Sequence, residues 1–98
     1  MSAPLFIGDE VSATGYRLAG MDVRVPAPEE TRTLLQWALA NAPLILLTAE
    51  YAARIPAAEL TRALVSIRPP VVIVPDAAGR VPVPDYGLRL KQALGVLE

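Results

Sequence analysis

The chain has 98 residues and a mass of 10.4 kDa, enough for one domain, since a second core needs roughly 50 residues or more of its own. Nine basic residues against ten acidic ones leave a formal charge of −1, without the electrostatic footprint of a nucleic-acid binder or a polybasic membrane anchor. The sequence contains neither cysteine nor histidine, which removes the usual zinc, haem and iron–sulfur ligands, disulfides, and Ser/His or Cys/His nucleophilic pairs.

No cofactor and no catalytic residue is therefore expected. Hydrophobic residues make up 53% of the chain, mean hydropathy is +0.39, and ten prolines interrupt it. The longest apolar run, from Ala42 to Leu47, falls far short of the roughly 20 residues of a bilayer span. Disorder is also excluded, because disordered segments are poor in apolar residues. Met1 to Glu10 has no basic region ahead of its short apolar stretch, so no secretory signal is read and a cytoplasmic location is expected. What remains is a small domain with more apolar surface than it can easily bury, some of it available to a partner.

The prolines divide the chain into alternating strand-like and helix-like segments. Leu5 to Ile7 is a short apolar strand stopped by Gly8. A first helix is predicted from Asp9 to Ala19, with Asp9 as N-cap, Gly20 as C-terminal stop, an acid in the first turn and Arg17 in the last. Gly15, in its middle, is expected to owe its place to close packing against the sheet. Asp22 to Val25, ended by Pro26, reads as a strand near an edge.

Pro28, Glu29 and Glu30 open a second helix whose core face is Thr31, Leu34, Leu35, Ala38 and Leu39, leaving Trp37 partly exposed. Leu44 to Leu47 has the uniform apolarity of a central strand. Thr48 then caps a short helix that Pro56 interrupts, and a second piece follows from Ala57 to Ile67, with Leu60, Ala63, Leu64 and Ile67 on one face. Val71 to Val74 is the most β-branched run and reads as another buried strand.

Four strands alternating with helices predict an α/β fold: a small doubly wound four-stranded parallel sheet with helices on both faces. This α/β domain is expected over residues 1–75, followed by a Pro/Gly linker over 76–85 and a C-terminal amphipathic helix over 86–98. Tyr86, Leu90, Ala93, Leu94 and Leu97 fall on one face of that helix. Such a stripe after a flexible linker can dock into a groove or on another helix, or fold back over the domain's own sheet edge. Symmetric pairing of two tails in a homodimer is a third possibility.

One alternative to a binding module is a receiver-like signalling or ligand-binding domain, with Asp9 and Glu10 as a metal-binding corner. It requires an aspartate at the end of the third strand and a lysine after a fifth. Here the third strand ends in Leu47-Thr48, and the only lysine is Lys91 in the tail. Nor does any glycine-rich phosphate loop occur.

In order along the chain, Phe6-Ile7-Gly8-Asp9-Glu10 and Thr14-Gly15-Tyr16-Arg17-Leu18-Ala19-Gly20 resemble the opening of the F subunit of the V-type and A-type rotary ATPases. That opening has a strand ending in Gly-Asp, followed by Thr-Gly-Phe-Arg-Leu-Ala-Gly. The likeness continues at Leu44 to Glu50, at Ala52 to Ile55, at Arg68 to Pro75, and in the tail at Tyr86-Gly87 and Leu90 to Val96. Tyr16 replaces the usual phenylalanine and Ala49 a common acid, while Met21 to Ala40 carries no matching signature.

The resemblance implies a non-catalytic subunit of the central rotor stalk, on the cytoplasmic face of the membrane. Such a subunit sits beside the coiled coil of the D subunit, and turns within the catalytic hexamer above the membrane-sector connector. It couples ATP hydrolysis or synthesis to proton or sodium movement. The implied contact residues are Tyr86, Leu90, Leu94 and Leu97 against the coiled coil, with Arg89 and Lys91 as rim charges. Neither nucleic acid nor direct membrane insertion is expected.

Overall fold

The computed structural model describes residues 3–77. In chain order it contains β1 (Leu5–Ile7), α1 (Glu10–Leu18), β2 (Asp22–Arg24), a 3-10 turn (Pro28–Glu30), α2 (Thr31–Asn41), β3 (Ile45–Thr48), α3 (Ala49–Ala52), α4 (Ala57–Val65) and β4 (Val71–Val74). The strands form one parallel sheet in the order β2-β1-β3-β4. This is the doubly wound α/β arrangement expected from the sequence.

Local chemistry sets the ends of α1. The Asp9 carboxylate accepts the Ser12 amide at 3.0 Å, and Glu10 and Arg17 sit where the helix dipole favours each sign. At the other end Gly20 takes φ +93°, its amide donating to the Arg17 carbonyl and the Met21 amide to that of Tyr16. That pair of bonds is a Schellman stop, a turn that glycine enters without strain.

The register decides which side chains share a face. Phe6, Leu46 and Val72 are aligned across β1, β3 and β4, as are Leu5, Ile45 and Val71 one residue earlier, and successive residues of a strand point to opposite faces. On the second of these faces, Leu5, Ile7, Ile45, Leu47 and Val71 join Leu35 and Ala38 of α2, Tyr51 and Ala52 of α3, Ile55, and Leu60 and Ala63 of α4 in the main core. The Arg32–Glu59 ion pair, 2.8 Å, ties α2 to α4 at the rim. On the first face Phe6 is fully buried and stacks on Tyr16 of α1, with ring centroids 4.3 Å apart.

Several expectations are corrected. The central pair is β1 and β3, whereas β4 is the edge strand among the described residues, and Val72 is 44% exposed. Continuous β-branched composition suits a strand in either position, and only the connectivity places it. The helix expected to reach Ile67 ends at Val65, leaving Ile67 exposed. Pro69 and Pro70 supply no amide to continue the ladder, and proline drives the residue before it out of the helical region. Pro28–Glu30 is a 3-10 turn leading into α2. The predicted core face of α2 holds, with Thr31, Leu35 and Ala38 buried, Leu34 and Leu39 part-buried, and Trp37 exposed.

Gly15 does not pack against the sheet. A Cβ there meets nothing within 4 Å, whereas one at Gly8 would lie 2.6 Å from both the Phe6 ring and the Thr48 methyl. Gly15→Ala is therefore expected to raise stability by about 0.5–1 kcal/mol, and Gly8→Ala to lower it by about 1–3 kcal/mol, since the stacked Phe6 ring cannot move aside freely. Urea unfolding of the two variants, compared by midpoint at constant slope, checks both signs.

Candidate functional site

Doubly wound sheets place ligands in the crevice beyond the carboxyl ends of the strands, where the strand order switches direction. Here the switch lies between β1 and β3, so the crevice is bounded by Gly8-Asp9 and by Thr48. It is filled. The Phe6 ring and the Thr48 methyl close on Gly8 too tightly to admit one further carbon, and the Thr48 hydroxyl accepts the Tyr51 amide at 3.4 Å to cap α3.

The acidic corner beside this crevice is equally committed. One oxygen of Asp9 accepts the Ser12 amide and the other the Ser12 hydroxyl, at 3.0 and 2.6 Å. Burial acts to raise the Asp9 pKa, but the bonds from the Ser12 hydroxyl and amide and from the Val11 amide outweigh it, holding the carboxyl below its ordinary 3.8. Glu10 pairs instead with Arg17 at 3.2 Å. Asp9 and Glu10 thus serve α1 as cap and dipole partner, and among the described residues no three carboxylates converge as a metal site.

Ser12 has a second role that the sequence does not announce. Its hydroxyl donates to Asp9 and accepts the amide of Ala77 at 2.8 Å. The bond spans 65 residues and fastens the chain leaving β4 to the first turn of α1. A serine four positions from Gly8 looks like an ordinary first-turn residue, so no local signal marks it.

A further concavity among the described residues lies at the opposite edge of the sheet. Val25, Pro26, Leu34 and Trp37, with Arg24 and Glu30 at the rim, line an open groove of about 600 Å³ beside β2. Trp37 is 49% exposed there, as its position off the core face of α2 predicts. An open apolar groove with an aromatic anchor and a charged rim has the composition of a docking surface. The residues expected from sequence to bind a partner, Tyr86, Arg89, Leu90, Lys91, Leu94 and Leu97, lie outside the described residues, as do the expected C-terminal helix and all but the first two residues of the expected linker.

The capping role of Asp9 has a measurable signature. Asp9→Ala is expected to cost about 1 kcal/mol near neutral pH, while Asp9→Asn, itself a good cap, costs less. Because the folded pKa lies below the unfolded one, the charge-dependent part of the stability is complete above pH 3.8 and lost as pH falls from there through the folded pKa. Denaturant midpoints across that interval should fall less steeply for Asp9→Asn than for the unaltered chain.

The family model for the ATP synthase (F/14-kDa) subunit matches residues 5–87. Of the six expected contact residues, Tyr86 falls inside that span. A sequence comparison with curated proteins gives no match. Among solved structures, the F subunit of the V-type ATP synthase from Archaeoglobus fulgidus is similar, with a TM-score of 0.64 at 22% identity, over 74% of this chain and 96% of that one. At that identity the structural likeness speaks for the fold, whereas the family match runs from the start of β1 beyond the end of β4. The chain belongs to the ATP synthase (F/14-kDa) subunit family, the F-subunit family of the V-type and A-type rotary ATPases.

Proposed function

We propose that this chain is a non-catalytic subunit of the central rotor stalk of a V/A-type ATPase or ATP synthase, binding the coiled-coil D subunit and coupling ATP hydrolysis or synthesis to proton or sodium transport. The observation that carries this reading is the family match over residues 5–87. Two features support it. At the switch point Phe6 and Thr48 crowd Gly8, and Asp9 and Glu10 are committed to α1. Among the described residues no helix is long and apolar enough to cross a membrane. In this reading the protein lies on the cytoplasmic face, turns with the coiled coil inside the catalytic hexamer, and reaches the membrane sector through its partners.

Torque transmission requires a stiff body and an apolar grip. Parallel strands covered by helices supply the first. The second is assigned to the C-terminal segment, with residues 1–75 as the body, 76–85 as linker and 86–98 as an amphipathic helix. Tyr86, Leu90, Leu94 and Leu97 face the coiled coil in this arrangement, and Arg89 and Lys91 lie at the rim, where charges affect association rate more than affinity.

Replacing Leu90 and Leu94 together by aspartate is expected to weaken association with the coiled-coil partner at least about 100-fold, since two central apolar anchors are lost. Melting of the domain should stay unchanged. Titration calorimetry of the full chain against the coiled-coil partner reads the effect, and unaltered affinity in the double variant would overturn the assigned contact.

A further inference from the structure

Gly15 stands in the middle of α1 without a reason inside the described domain. Its backbone is helical and lacks the positive φ that Gly20 takes, and among the described residues a Cβ at Gly15 would meet nothing within 4 Å. Glycine inside a helix weakens it, so its place here destabilises the isolated fold with no contact to offset it. The outward side of α1 is unusual in a second respect. Val11 is 68% and Leu18 85% exposed, with Thr14 and Gly15 exposed between them. The Thr14 hydroxyl turns back to donate to the Glu10 carbonyl at 3.0 Å, so the middle of this face has no unpaired donor. Among the described helices no other exposes two large apolar side chains: α2 exposes Trp37 and α4 none.

The spacing of Val11, Thr14, Gly15 and Leu18, at i, i+3, i+4 and i+7, makes them neighbours on one helical surface. Four such residues form the hole that receives one side chain of a facing helix in coiled-coil packing. Val11 and Leu18 stand about 10 Å apart along the axis, about the width of a helix, and the two residues between them are small. A helix can therefore cross at Gly15 with Val11 and Leu18 on either side, and small residues at a crossing bring two axes toward the near end of the usual range of about 8–10 Å. Glu10 and Arg17, one position before Val11 and Leu18, pair at 3.2 Å along one flank and give the face a charged rim. An added strand would need free main-chain groups, which a helix surface lacks, and a small molecule needs an enclosing cavity. The shape selects a helix. The segment assigned to the coiled-coil partner also leaves the described domain beside α1, where the Ala77 amide bonds to Ser12 at 2.8 Å.

We propose that Val11, Thr14, Gly15 and Leu18 form a docking notch on α1 for one helix of the coiled-coil partner, with a side chain of that helix seated over Gly15. The notch rests on the reading of this chain as a subunit held by a coiled coil, and adds to the C-terminal segment a second contact on the body of the domain. Two separate contacts resist rotation about either one, which torque transmission requires.

Stability and affinity should move in opposite directions when the notch is filled. Gly15→Gln replaces glycine by a good helix former, so its urea midpoint should rise, while its affinity for the coiled-coil partner, by titration calorimetry of the full chain, should fall about 10-fold or more. Leu18→Gln should weaken binding to a similar extent with its midpoint unchanged, and Gln36→Ala, at an exposed position on α2, should leave the affinity as it is. If Gly15→Gln and Leu18→Gln bind as tightly as the unaltered chain, the notch is wrong and the assembly reading stands. If the unaltered chain does not bind the coiled coil, that reading and the notch fail together. A lower midpoint for Gly15→Gln would assign the glycine to the fold itself. A dimer of the isolated chain that these substitutions dissociate, seen by light scattering, would assign the face to a second copy. Either of these two results would overturn the proposal.

Discussion

The handedness of its crossovers is the constraint on which the rest of this molecule depends. A strand that returns to a parallel neighbour does so by a right-handed turn. The path from β1 outward to β2 and the path back across to β3 and on to β4 therefore place their helices on opposite faces. With the order β2-β1-β3-β4, among the described residues one helix falls on one side and three on the other. Among the described residues, the deep core under α2, α3 and α4 and the stacking of Tyr16 on Phe6 on the other face are consequences of that single geometric preference.

The same topology fixes what the carboxyl edge can do. The switch between β1 and β3 is where related architectures bind small molecules, and here Phe6 and Thr48 crowd Gly8 at that point. Polar groups that could have served a ligand are satisfied internally: Asp9 by Ser12, Ser12 by Asp9 and Ala77, Thr48 by Tyr51. A domain whose polar groups at this edge are spent on its own helices, and whose exposed side chains include Val11, Leu18, Trp37 and Val72, is suited to being held by other proteins. This agrees with membership of a family of ATP synthase subunits.

Much of this was legible in the sequence, for identifiable reasons. Asp9, Gly20 and Thr48 act through neighbours three or fewer residues away, so local rules suffice for them. The apolar runs of β1 and β3 are short and bounded by Gly8, Pro43 and Thr48, which fixes their existence and nearly their ends. The edge position of Val71–Val74 was not legible, because β-branched composition is common to central and edge strands and order in the sheet is a long-range property. Gly15 misled because close packing is only the usual reason for a glycine inside a helix, and here a Cβ would meet nothing within 4 Å. The Ser12–Ala77 bond joins residues 65 apart and has no sequence signature, and Tyr86 to Leu97 rest on the spacing of the stripe and the family resemblance.

The central claim, that this domain works as a rotor-stalk component, is tested most directly by isolating the tagged chain from its native membranes after mild detergent extraction. A stalk component is expected to elute with an ATP-hydrolysing complex containing a long coiled-coil subunit, and chelating divalent metal should leave this association in place. Elution as a free monomer, or in a complex without ATPase activity and without a coiled-coil subunit, would contradict it.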